Sequence, residues 1–126
     1  MASALFPRAA RVLRPRDFTR LRNKGRRIGG RHFSVQVGAN DTDGARLGLA
    51  ISKRVSKRAV RRNRIKRVAR DSFRHTRTQL PAVDILLIAR SSADLEDSAS
   101  LRAELANLWK RIATLNPAEG AGTMRA

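Results

Sequence analysis

The sequence predicts an α+β sandwich: one mixed β-sheet packed by helices. Three observations carry this. Segments 32–38 and 46–52 alternate apolar and polar residues with the period of two of a half-buried strand. Val83 to Ala89 is almost continuously apolar, as in a strand covered on both faces. Segments 59–76 and 98–115 repeat their apolar residues at helical spacing. At 126 residues one domain is the default, and the chain is large enough to bury a core without disulfides.

Taken in order, residues 16–24 read as a short helix. Pro15 suits its approach, Gly25 suits its stop, and Leu21 is the core anchor. A short strand near Arg27–Gly30 is an optional addition. In 32–38, Phe33, Val35 and Val37 share one face, and His32, Ser34 and Gln36 the other. Asn40 to Gly44 is a turn by composition. In 46–52, Leu47, Leu49 and Ile51 oppose Gly48, Ala50 and Ser52. The two strands are expected to pair as an antiparallel hairpin, with a second face small enough for something to lie close to it. Lys53 to Arg58 is a basic connector.

The helix over 59–76 splits by phase. Arg61, Ile65, Val68, Ala69, Ser72 and Phe73 gather on one side. Asn63, Arg64, Arg67, Arg70 and Arg74 gather on the other, with Lys66 at the flank. After the strand at 83–89, the last helix carries the stripe Leu101, Leu105, Leu108, Ile112 and Leu115 beside Trp109. Asp97 or Ser98 can cap it, and Pro117 ends it.

The formal net charge is +18, from 28 basic and 10 acidic residues. Its placement says more than its size. Residues 8–31 hold ten basic residues against Asp17; residues 53–77 hold twelve against Asp71; residues 78–126 are near neutral. Codon bias would explain arginine over lysine, but not an excess that spares the last third. Two basic blocks are the footprint of a nucleic-acid surface. The absence of cysteine excludes disulfides, thiolate metal sites and cysteine nucleophiles. No apolar stretch is long enough to span a bilayer. Met1 to Arg16 is Arg-rich and acid-poor like a transit peptide, but Pro7 and Pro15 interrupt any long helix there. Residues 1–13 are expected to be a flexible or RNA-contacting basic arm, 14–116 a single RNA-binding domain and 117–126 a disordered tail.

The run Arg61-Arg62-Asn63-Arg64-Ile65-Lys66-Arg67-Val68-Ala69-Arg70 carries the chemistry. An ordinary charge run is a solvated helix face. Here arginines and an asparagine share a face with no offsetting acid, an unfavourable arrangement without an anionic partner. Guanidinium groups take phosphate in a bidentate way that lysine does not copy. His32 and His75 have no evident partner base and read as surface contacts. Asp41 and Asp43 read as turn residues rather than metal ligands, and Asp17 and Asp71 as capping a helix or orienting arginines. Trp109 and Phe73 read as core. No protein-borne nuclease site emerges.

Residues 62–70 match R-N-R-x-K-R-x-x-R, and the chain here resembles the bacterial ribonuclease P protein subunits. Asp17-Phe18, Arg46 to Lys53, Ala59-Val60, Asp84 to Arg90 and Leu105 to Trp109 extend the resemblance in the right order over about residues 14–115. The resemblance implies an αβββαβα fold with a left-handed βαβ crossover. It also implies that the protein binds the catalytic RNA of ribonuclease P and the single-stranded 5′ leader of precursor tRNA, which the holoenzyme removes. Catalysis then belongs to the RNA, with Mg²⁺ held mainly by the RNA and substrate, and no catalytic or metal-binding side chain on the protein. Arg62, Asn63, Arg64, Lys66, Arg67 and Arg70 are implied to face the catalytic RNA. Phe18, Arg22, Ser34, Gln36, Ser52, Lys53 and Arg54 are implied to line or border the leader cleft. A cytoplasmic protein, one per RNA, with no membrane partner is expected.

Two departures stand out. Arg22 occupies a position where the family often has a second aromatic, and Gln36 lies near another. Ser56-Lys57 replaces a Gly-Asn pair common before Ala59-Val60. Basic composition alone does not separate this reading from a structural RNA-binding protein such as a ribosomal one; the signature with its flanking strands does. A protein-only nuclease would require cleavage by RNA-free protein and an essential acid or histidine, and a DNA-binding helix module is weakened by the sheet.

Overall fold

The computed structural model describes residues 15–40 and 44–115. The elements run α1 (Pro15–Lys24), β1 (Arg26–Gly29), β2 (Phe33–Ala39), β3 (Arg46–Ala50), α2 (Ala59–Thr76), β4 (Val83–Ala89) and α3 (Ser98–Ala113). Single 3₁₀ turns at Arg77–Gln79 and Ser91–Leu95 flank β4. The αβββαβα order and the α+β class are as expected from the sequence, and the optional strand is β1. The expected arm at 1–13 and tail at 117–126 lie outside the described residues, as do Asp41, Thr42 and Asp43.

The sheet order is β1-β2-β4-β3. β1 pairs antiparallel with β2, β2 antiparallel with β4, and β3 parallel with β4. The expected β2–β3 hairpin is therefore wrong: β4 lies between them. The reason is burial. Val83, Asp84, Ile85, Leu86 and Leu87 are all buried, and a strand buried on both faces belongs in the middle of a sheet. β3 then reaches β4 through α2, a parallel crossover, and the hairpin of the sheet is β1–β2.

One face of the sheet carries the main core. Ile28, Phe33, Val35, Val37, Leu47, Val83, Ile85 and Leu87 meet Ile65, Val68, Ala69 and Phe73 of α2 and Leu101, Leu105, Leu108, Trp109 and Ile112 of α3. Asp97 caps α3, accepting a hydrogen bond from the Ser100 backbone N–H at 2.7 Å. α3 ends two residues earlier than its apolar stripe suggests, yet Leu115 still packs against the core. Glu104 of α3 accepts from the backbone N–H groups of His32 and Phe33 at 2.9–3.0 Å, pinning the β1–β2 turn. His32 is buried rather than at the surface: its Nδ1 lies 2.9 Å from Ser92 Oγ and its Nε2 3.2 Å from Glu96.

Among the described residues, the opposite face is covered only by α1. Its apolar attachment is Leu21 on Leu86, with Ala50 and Ile88 alongside. Burying one leucine contributes about 1.5–3 kcal/mol. Two glycines shape this layer. A Cβ on Gly25 would lie 2.6 Å from Leu21 O, so only glycine allows this exit from α1; a Cβ on Gly38 would lie 3.0 Å from Leu21 Cδ2. The small second face expected from the sequence is the seat of α1.

Candidate nucleic-acid interface

The outer row of α2 is the strongest candidate. Its inner residues are held in the core, and that fixes the opposite side outward. Asn63, Arg67 and Arg70 are exposed, and Lys66 is half-buried beside them. None of the four has a side-chain partner among the described residues. Spaced three and four apart, they form one continuous row over two turns.

Arg62 and Arg64 behave differently. Arg62 Nη1 donates to the carbonyls of Ser56 (2.9 Å) and Lys57 (3.2 Å) in the connector. Arg64 donates to Ser98 Oγ (3.1 Å) and to the carbonyls of Glu96 (2.9 Å) and Asp94 (3.4 Å). Both are half-buried. Arg64 is thus on the flank of α2 rather than in the outer row where helical phase placed it. Arg61 joins it there, donating to the Asp94 carboxylate and backbone, both at 2.6 Å. Arg74 is turned back to Asp71 at 2.5 Å, and Arg102 bridges from α3 to the same carboxylate at 2.7 Å. The signature divides into an outward row and two clamps on the neighbouring loops.

The second candidate is the α1-covered face of the sheet. Register puts Arg27, Gln36, Leu86 and Gly48 in one transverse row, and Gly29, Ser34, Ile88 and Ala50 in the next. α1 covers the first row at Leu86. Ser34, Ile88 and Ala50 remain only half-buried and form an open floor. Gln36 is 4% exposed, and its Oε1 has no hydrogen-bond partner among the described residues. Ser52, Lys53 and Arg54 are exposed on the turn that leaves β3 toward α2, so they join the floor to the signature helix. Val55 and Ser56 of that turn are buried. Arg22 is exposed on α1. Phe18 belongs to α1, but its side chain lies outside the described residues.

Two cations that the sequence did not single out border this floor. Arg27 is exposed at the β1 edge. Arg90 is exposed just past β4, and its Nη2 lies 3.6 Å from where a Gly29 Cβ would stand, so its guanidinium reaches over β1. Period-two counting from Ile88 puts Arg90 on this face, but the adjacency of β4 and β2 was needed to bring it to Gly29.

At the other end of the floor stands a buried polar cluster. Asp84 is fully buried. Its carboxylate accepts from Arg46 Nε and Nη2 (2.7 and 2.6 Å), Arg20 Nη2 (2.5 Å) and Asn40 Nδ2 (2.8 Å). Asp17 lies 3.7 Å from both arginines, the orienting role expected for it.

The family model for ribonuclease P matches residues 6–113. The chain belongs to the ribonuclease P protein family. It is 41% identical over 109 residues to the ribonuclease P protein component of Thioalkalivibrio sulfidiphilus, covering 86% of this chain and 91% of that one. The ribonuclease P protein of Staphylococcus aureus is similar in structure, with a TM-score of 0.77 and 33% identity over 85% of this chain and 97% of that one. That of Thermotoga maritima gives 0.72 and 33% over 79% and 96%. Partnership with the ribonuclease P RNA follows from that membership.

Among the described residues of this ribonuclease P protein, no group of three or more His, Cys, Asp or Glu could hold a metal ion. No described helix is long and apolar enough to cross a membrane. Its described aspartates are tied to cations and backbone. Burial pushes the Asp84 carboxyl up, but hydrogen bonds from Arg46, Asn40 and Arg20 outweigh it and hold the group below its ordinary 3.8. The Arg102 bond does the same for Asp71, the Arg61 bond for Asp94 and the Ser100 backbone N–H for Asp97. A folded value below the unfolded one favours folding above the unfolded pKa of about 3.9 and loses that contribution as pH falls through the lower folded value. The melting temperature is therefore expected to fall as pH drops below about 4, with a shallower fall in Asp84→Asn. A melting temperature that rises from pH 5 to 3 would contradict this origin.

Proposed function

We propose that this ribonuclease P protein binds the catalytic RNA through the outer row of α2 and captures the 5′ leader of precursor tRNA on the floor between α1 and the open sheet. The row Asn63, Lys66, Arg67 and Arg70 carries the reading: four polar side chains, three of them cationic, with no side-chain partner among the described residues, on the family signature. Each cation can neutralise a phosphate and release its counterion. Asn63 can bond a base edge, a 2′-hydroxyl or the backbone. Arg62 and Arg64 contribute mainly by fixing the loops on either side of that row.

On the floor, Ser34 and Gln36 offer polar groups, while Arg22, Ser52, Lys53 and Arg54 border it; Phe18 is the stacking candidate on α1. Base stacking on an aromatic contributes about 1–3 kcal/mol per base. Arg27 and Arg90 extend the cationic border. In this reading Mg²⁺ stays with the RNA and substrate, the RNA performs the Mg²⁺-dependent cleavage, and the protein does no chemistry. It brings a +18 chain between two polyanions, lowers their repulsion and holds the leader. One protein per RNA and a cytoplasmic site of action complete the proposal.

The expected result is that the protein makes leader removal by its cognate catalytic RNA efficient at low Mg²⁺ and matters less at high Mg²⁺. Cleavage of precursor tRNA, with and without protein, across Mg²⁺ concentrations tests it. Unchanged low-Mg²⁺ cleavage on adding protein, or cleavage by RNA-free protein, would each defeat the proposal.

A further inference from the structure

We infer that Asp84 is a positioning residue for the leader floor: it fixes α1 against the sheet although its own carboxylate is sealed from any RNA. This rests on the reading of that floor as the leader site. α1 has only ten residues, too short to be a stable helix by itself. Leu21 is its only buried side chain among those described. One leucine resting on Leu86 is a pivot; it attaches a helix without setting its angle.

The polar cluster sets the angle. Arg20 reaches from α1 to Asp84 Oδ2 at 2.5 Å and to the carbonyl of Ala39 at 3.4 Å. Arg46 comes from β3 and grips both oxygens of the same carboxylate, at 2.6 and 2.7 Å. Asn40, just after β2, donates to Oδ1 at 2.8 Å. One carboxylate thus gathers α1, β3 and the end of β2 onto the central strand. Asp17 and Asp84 balance Arg20 and Arg46, so the cluster is neutral and needs no outside anion.

Asp84 shares its strand and its face with Leu86, which α1 covers, and Ile88, which the open floor exposes. The placement of α1 is therefore referenced to the strand that supplies the floor. Without the charge of Asp84, Asp17 alone is left to offset Arg20 and Arg46, Arg20 keeps a buried Nε with no partner among the described residues, and α1 is free to swing about Leu21. The gap that receives the leader then loses its fixed width.

The test uses holoenzyme reconstituted from the full chain and its cognate catalytic RNA. Substrates carry either a single-nucleotide leader or one of about eight nucleotides, enough to fill a single-strand groove. Asp84→Asn and Arg20→Gln are expected to raise KM for the long-leader substrate about tenfold, the scale of one charge-assisted hydrogen bond. KM for the short leader, kcat and affinity for the catalytic RNA should stay unchanged, and Arg20→Lys should recover most of the loss. Folded Asp84→Asn and Arg20→Gln proteins that keep the wild-type advantage of the long leader would overturn the inference. If Asp84→Asn fails to fold, Arg20→Gln, at a half-exposed position, decides alone. A wild-type holoenzyme with no long-leader advantage would instead defeat the leader-floor reading, and the inference with it.

Discussion

Replacing Arg67 and Arg70 together with glutamate is expected to weaken association with the catalytic RNA by a factor of about 10² or more at moderate salt, since hydrogen bonds to charged groups contribute about 1.5–3 kcal/mol each. Both side chains are exposed and free of partners among the described residues, so their whole donor capacity is available to phosphate. Reversal also adds repulsion. The dependence of log K on log salt should become shallower by about 1.5–2, the counterions of two lost phosphate contacts. The melting temperature should barely move, because neither residue holds anything in the fold. Arg64→Ala should behave in the opposite way: its contacts are Ser98 and the carbonyls of Asp94 and Glu96, so it should lower stability and leave the salt slope nearly unchanged. Titration of labelled catalytic RNA at several salt concentrations, with thermal melts of each variant, separates the two classes. An unchanged salt slope in the double variant would remove the outer row from the interface.

Trp109→Ala carries the largest expected cost to the fold, about 3–5 kcal/mol. Trp109 is 1% exposed and meets Phe73 edge-to-face, with ring centroids 5.6 Å apart and planes at 64°. Such a pair contributes about 0.5–1.5 kcal/mol beyond its buried area. Its Nε1–H donates to Ser72 Oγ at 2.8 Å, so both contacts tie α3 to the inner face of the signature helix. A domain of this size should lose more than about 10 °C of melting temperature. Ser72→Ala should cost less, about 1–3 kcal/mol, by leaving the indole N–H unsatisfied. A melting temperature within about 3 °C of wild type for Trp109→Ala, too small for the loss of a buried aromatic, would mean that this joint does not hold α2.

Local pattern told the elements well. β4 coincides with its apolar run because seven residues with no competing turn signal leave one reading. α2 and α3 follow from their stripes. Pairing was not local. β2 and β3 alternate and flank a turn, which is how a hairpin looks in sequence, yet the need of Val83 to Leu87 for cover on both faces placed β4 between them. The family resemblance supplied the element order that the strand pattern alone left open at β1.

The candidate site was legible to the same depth. Phase found the row of Asn63, Arg67 and Arg70, but Arg64 departed to the flank because carbonyls 30 and 32 residues away bind it. Alternation put Ser34 and Gln36 on the second face of β2; that Gln36 is buried and Ser34 half-open depends on the tertiary packing of that face. His32 looked solitary until Ser92 and Glu96 folded beside it. Arg27 and Arg90 come to the floor only through the β1-β2-β4 adjacency, which no short window contains.

The division of labour between the two surfaces is the central claim, and crosslinking in the working complex tests it most directly. A photoreactive side chain at position 67 or at position 34 of the full chain, in holoenzyme with bound precursor tRNA, reports which RNA each surface touches. Position 67 is expected to label the catalytic RNA, and position 34 the leader on the 5′ side of the cleavage site. Both positions labelling the same RNA, or position 34 labelling only the catalytic RNA, would contradict the account.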